Sequence, residues 1–101
     1  MQLKYLQDVV KRKGEMLIKI LGIILRLRRK QLKLSLRQLS KLTDISKTEL
    51  SNIENGKIKA PSSVFLYRLA NVLELDYNYI LKFKYASYYR KKEMGYGRYY
   101  I

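Results

Sequence analysis

Hydrophobic positions along the chain recur mostly at the three-to-four-residue spacing of helices. Leu3, Leu6 and Val10 keep that spacing, with Val9 beside them, and the run Lys11-Arg12-Lys13 then leads into Gly14. Cations complement the C-terminal end of a helix dipole and glycine closes a helix, so the pattern predicts a short helix over 2–13. From about 17 to 33 the apolar positions split into two stripes. Leu21, Leu25 and Leu32 form one, and Ile20, Ile23, Ile24 and Leu27 form the other. One stripe can face a core, and the second needs its own cover. The pattern favours residues 2–13 folding back over it, with a dimer interface as the alternative. Gly22, at the centre of this helix, costs about 1 kcal/mol relative to alanine and so marks a position suited to a close packing contact.

Two short helices with marked starts follow. Ser35-Leu-Arg-Gln38 and Ser46-Lys-Thr-Glu49 both fit the reciprocal capping motif S-x-x-E/Q, which places helix starts near Leu36 and Lys47. The stretch from Lys41 to Ile45 leaves room only for a tight turn, in which Asp44 tolerates a left-handed backbone. Asn55-Gly56 stops the second short helix. After the basic loop Lys57–Ala60, Pro61 is expected to open a fourth helix with a broad apolar face built from Val64, Phe65, Leu66, Leu69, Val72 and Leu73. Asp76 is expected to cap a fifth helix running through Tyr77, Ile80 and Leu81. Beyond Phe83 the periodicity fades into a basic tail that is partly helical at best. It carries Tyr88, Tyr89, Tyr96, Tyr99 and Tyr100 with Arg90, Lys91, Lys92 and Arg98. Its readings are an extension of the fifth helix into a dimer partner, stacking on bases, contact with lipid, and a loosely ordered tail. The expected division is an N-terminal extension over 1–15, a domain over 16–84 and an aromatic tail over 85–101, all of it helical in class.

Composition narrows the function. At 101 residues there is one domain's worth of chain, and neither cysteine nor histidine occurs. Disulfides, thiolate nucleophiles, thiolate or imidazole metal sites and imidazole acid–base catalysis are therefore excluded. The eight carboxylates are scattered and no glycine-rich phosphate loop occurs, so neither an enzyme, a metal nor a cofactor is expected. Lys plus Arg is 22 against 8 acidic residues, a net charge of +14, which points to a polyanionic partner. The most apolar stretch, Met16 to Leu27, contains Lys19 and Arg26 and is short of the ~20 residues that span a bilayer. Arg26 to Lys30 follows it in place of a small-residue cleavage site, so a cytoplasmic protein is expected, with Met16 as an alternative start.

Two short capped helices joined by a tight turn, inside a basic helical domain, describe a helix-turn-helix. The second helix divides into inward Leu50 and Ile53 and outward Lys47, Thr48, Ser51, Asn52 and Asn55. A reader of the major groove needs that division, because its first turn must carry side chains that reach base edges. The run from Leu32 to Gly56, ending in Ile53-Glu54-Asn55-Gly56, resembles the Xre family, the helix-turn-helix of phage Cro and repressor type. Pro61-Ser62, Phe65-Leu66, Leu69-Ala70, Val72-Leu73 and Asp76 look like the last two helices of the Sin-type repressors within it, over residues 20–83. The resemblance implies a five-helix domain; residues 1–15 and the tail after about 84 have no counterpart in it, so the N-terminal helix read from periodicity is an extra one. It implies base contacts from Lys47, Thr48 and Asn52, with Ser51 secondary. It places Ser35, Ser46, Asn55, Lys57 and Lys59 on the sugar–phosphate backbone, and Arg29 with Glu54 in a buried ion pair. Two positions depart from the family pattern. Leu36 stands where many members carry a glutamine that bonds a phosphate, so that bond is either missing or made by Arg37 instead, and Asp44 replaces the usual turn glycine. The other cations of the first helix, Arg26, Arg28, Lys30 and Lys33, are expected on a wet face, one or two of them near phosphate.

The reading that follows is a sequence-specific regulator of double-stranded DNA, most simply a homodimeric repressor on a palindromic site. Without an effector domain it would be controlled by concentration, a protein antagonist or proteolysis. The antitoxin of a toxin–antitoxin pair and a restriction–modification controller are alternatives that also bind DNA. A peripheral membrane or RNA-binding protein is the alternative of another class, with membrane binding the less expected.

Overall fold

The computed structural model describes residues 2–96, with side chains at Asp8 and from Lys11 to Ala86. Among the described residues there are five helices and no strand: α1 (Gln2–Gln31), α2 (Leu36–Thr43), α3 (Lys47–Glu54), α4 (Ser63–Leu73) and α5 (Tyr77–Tyr96). Every helix sends buried side chains to one core. Leu21 and Leu25 come from α1, Leu39 from α2, Leu50 and Ile53 from α3, Leu66, Leu69 and Leu73 from α4, and Ile80 from α5, with Ile45 of the α2–α3 turn among them. The most extensive helix pairing is α1 with α5, and it gives the molecule its 48 × 21 × 20 Å shape.

The N-terminal segment is not a separate helix. α1 is continuous over 30 residues, and Gly14 lies buried inside it rather than closing it. The packing of α5 along α1 outweighs the local cost of a glycine within a helix. The side chains of Leu3, Leu6, Val9 and Val10 lie outside the described residues. Because residues 2–13 continue the helix axis, they do not fold back over the second stripe. Ile20, Ile23 and Leu27 are exposed, as is Met16. At the other end, α5 runs on to Tyr96, further than its fading periodicity predicts. The side chains of the tail's tyrosines and cations from Tyr88 onward lie outside the described residues. The expected boundaries at 15/16 and 84/85 thus fall inside unbroken helices.

Capping chemistry sets the remaining ends. Ser35 accepts from Gln38 N at 3.0 Å while Gln38 Oε1 accepts from Ser35 N at 2.8 Å, a complete reciprocal cap. In α3 only half of that arrangement forms. Ser46 accepts from Glu49 N at 3.1 Å, and the Glu49 carboxylate does not return the bond. α4 starts slightly later than expected, with Ser62 as its cap and Pro61 buried just ahead of it. Ser62 accepts from Phe65 N, and an acceptor is what the free N–H groups of a first turn require. Asp76 caps α5 by accepting from Asn78 N at 2.9 Å. The left-handed closures fall on Lys33, Asp44, Gly56 and Glu74. The three that are not glycine each carry roughly 1 kcal/mol or more of strain.

Candidate nucleic-acid interface

α2 and α3 pack on each other across a turn pinned by its own side chains. Thr43 Oγ1 donates to Leu39 O at 2.7 Å and accepts from Ile45 N at 3.3 Å, and Ser40 Oγ donates to Ile45 O at 2.6 Å. These bonds satisfy polar groups around Ile45, which is driven into the core behind the turn. With Asp44 left-handed at φ 59°, the chain passes from α2 to α3 in three residues.

α3 is held from behind. Leu50 and Ile53 are buried in the core. Glu54 turns inward to Arg29 of α1, which donates from Nε to Oε2 at 2.7 Å and from Nη2 to Oε1 at 3.0 Å. The third arm of the guanidinium, Nη1, donates to Leu34 O at 2.8 Å, at the end of α1. Only 10% of the arginine side chain and 6% of the glutamate's is exposed, so one bidentate pair ties α1, its C-terminal turn and α3 together. The two helices approach closely enough to need glycine. A Cβ on Gly22 would stand 2.4 Å from Glu54 O and 2.6 Å from Ile53 O. Gly56, at φ +68°, lies against Lys19.

The opposite side of α3 is polar. Lys47 and Thr48 are exposed, and Ser51 and Asn52 are half-buried. Ser35, Arg37, Ser46, Asn55, Lys57 and Lys59 are all exposed. Ser35 and Ser46 spend an oxygen lone pair on capping and keep the hydroxyl proton, so each can still donate to an anion at the positive end of its helix. Asn55 Nδ2 donates to Ser51 Oγ at 3.3 Å, so these two neighbours are linked to each other in the free protein. Leu36 is half-buried against the core and offers nothing to a phosphate, while the adjacent Arg37 points to solvent.

One arginine has a role that local pattern does not reveal. Arg28 is not on a wet face. Its Nε donates to Leu73 O at 2.8 Å and its Nη2 pairs with Glu74 Oε1 at 3.2 Å, which caps the C-terminus of α4 and leaves the cation engaged. Lys84 Nζ, likewise, donates to Ser63 Oγ at 2.9 Å and fastens α5 to the start of α4. Only the three-dimensional course of the chain brings those partners together.

A short reader helix, anchored by apolar side chains and a buried ion pair and presented on a bundle of net charge +14, defines a helix-turn-helix protein of the DNA-binding class. The chain matches the family model described as "Helix-turn-helix domain" over residues 22–85, and it belongs to that family, of the Xre and Cro-like type. No curated protein and no solved structure matches it. Among the described residues no helix is long and apolar enough to cross a membrane.

Proposed function

We propose that this protein is a sequence-specific transcriptional repressor of Sin-like type, acting in the cytoplasm as a homodimer on a palindromic operator. The observation that carries the reading is the two-sidedness of α3. Leu50, Ile53 and Glu54 are buried, and Lys47, Thr48, Ser51 and Asn52 lie on its polar side. Lys47 suits the acceptors of guanine, and Asn52 can bond adenine in a bidentate way. Thr48 and Ser51 contribute shorter contacts. Ser35, Arg37, Ser46, Asn55, Lys57 and Lys59 hold the backbone and set the register, which supplies affinity without sequence information. A dimer follows from the size of the reader, since two copies one DNA turn apart read a site long enough to be selective.

Reader and clamp residues are separated by two substitutions. Asn52→Ala relaxes preference at one base pair by about 1–3 kcal/mol and leaves non-specific binding intact. Lys57→Ala weakens all sequences alike and lowers the salt slope by about one. Binding of matched and singly mismatched duplexes at two salt concentrations distinguishes them, and identical behaviour of the two variants contradicts the assignment.

A further inference from the structure

Among the described residues, nothing covers the outer face of α1. Met16, Ile20, Ile23 and Leu27 are 59%, 38%, 53% and 56% exposed. Their spacing of four, three and four residues puts them on one stripe about 16 Å long. Helical spacing places Lys19, Arg26 and Lys30 along one border of that stripe, and all three are exposed. None of their side chains has a hydrogen-bond or ion-pair partner among the described residues. The border is also concave. Ile23, Leu27 and the three cations line a groove whose far wall is Glu54 and Asn55, at the end of α3. The glycine contacts that draw α3 against α1 form this wall.

We infer that this groove receives an acidic amphipathic helix from a partner protein. Charge decides the occupant. A helix with apolar residues at matching intervals and Asp or Glu along one edge would cover the stripe and neutralise the row of Lys19, Arg26 and Lys30 together. A second copy of the chain brings another +14 to the same place, and its cations would face this row of cations rather than neutralise it. A bilayer surface is flat on this scale, whereas the cations here face a second wall. The far wall gives docking a consequence. Asn55 and the end of α3 border both the groove and the surface assigned to DNA phosphates, so an acidic helix seated there opposes DNA binding. That consequence rests on the proposed function, whereas the docking does not.

The test uses the full chain and a synthetic peptide of about three heptads with leucine at the a and d positions and glutamate at the flanking ones. Binding is read by anisotropy of the labelled peptide at physiological salt. The variant Ile23→Gln/Leu27→Gln keeps the net charge and changes only exposed side chains, so its thermal melt should match the parent. It is expected to bind the peptide at least about tenfold more weakly. Arg26→Glu should weaken binding several-fold, and a scrambled peptide of equal composition should bind about tenfold less well than the patterned one. Equal binding of scrambled and patterned peptides, or an unaffected double variant, overturns the proposal. So does co-sedimentation with phosphatidylglycerol vesicles that the double variant loses, which assigns the stripe to membrane. A parent dimer that the double variant converts to monomer also overturns it, by assigning the stripe to a second copy. Peptide binding by a chain that binds no duplex leaves the docking intact and removes the DNA reading alone.

Discussion

Glu54→Ala is expected to destabilise the fold by about 3–5 kcal/mol, a large fraction of the 5–15 kcal/mol that holds a domain together. The cost arises from what is left behind. Arg29 loses the acceptors at 2.7 and 3.0 Å and retains only Leu34 O, while its charge stays buried. Urea unfolding measures the change directly, and a thermal midpoint lower by roughly 15–30 °C accompanies it. Arg29→Met with Glu54→Leu should recover part of the loss, because removing both charges also removes the desolvation each one costs. Recovery remains incomplete, since Leu34 O loses its donor in the double variant. If the single and double variants are equally unstable, the pair does not hold α3 as argued.

Gly22→Ala is the second large effect, and its sign runs against helix propensity. In the middle of an isolated helix the change gains about 1 kcal/mol. Here the added methyl group meets Glu54 O at 2.4 Å, Ile53 O at 2.6 Å and Glu54 C at 2.8 Å, all of them backbone atoms. No rotamer relieves such a clash, so α1 and the end of α3 must separate, taking the buried Ile53 and the Arg29–Glu54 pair with them. Overpacking of this kind costs about 1–3 kcal/mol and sometimes more, so a net loss of roughly 2 kcal/mol is expected. It appears as a lower urea midpoint with an unchanged slope. A variant as stable as the parent contradicts the close approach.

Much of this architecture is legible locally. The start of α2 follows from the spacing of Ser35 and Gln38, and the two-sidedness of α3 from apolar residues three apart at Leu50 and Ile53. Gly22 stands out because a helix tolerates glycine only for a reason, and Glu54 O supplies that reason. The same reasoning fails at Gly14. That glycine follows three cations and has every local mark of a helix end, yet α5, packed along α1, keeps the helix intact. α5 runs on to Tyr96 although its periodicity fades beyond Phe83, and its main packing partner, α1, lies at the other end of the chain. Pro61 marks the start of α4 to within a residue or two, and the cap falls on the next residue, whose Ser62 hydroxyl accepts from Phe65 N. At the site, the outward positions of α3 are legible from periodicity. The Arg29–Glu54 pair is legible only through family resemblance, since residues 25 apart give no local sign of contact. The engagement of Arg28 with Leu73 O, 45 residues away, gives none either.

α3 is expected to read base sequence rather than charge alone. Selection from a random double-stranded DNA pool tests it most directly, with binding of the selected duplex repeated at low and moderate salt. The expected winner is an inverted repeat whose half-site centres lie one helical turn apart, about 34–36 Å. Affinity for this repeat should fall with salt while its advantage over other sequences persists. Equal retention of every sequence, lost steeply as salt rises, would contradict the account and leave a basic helical bundle that binds polyanions without reading them.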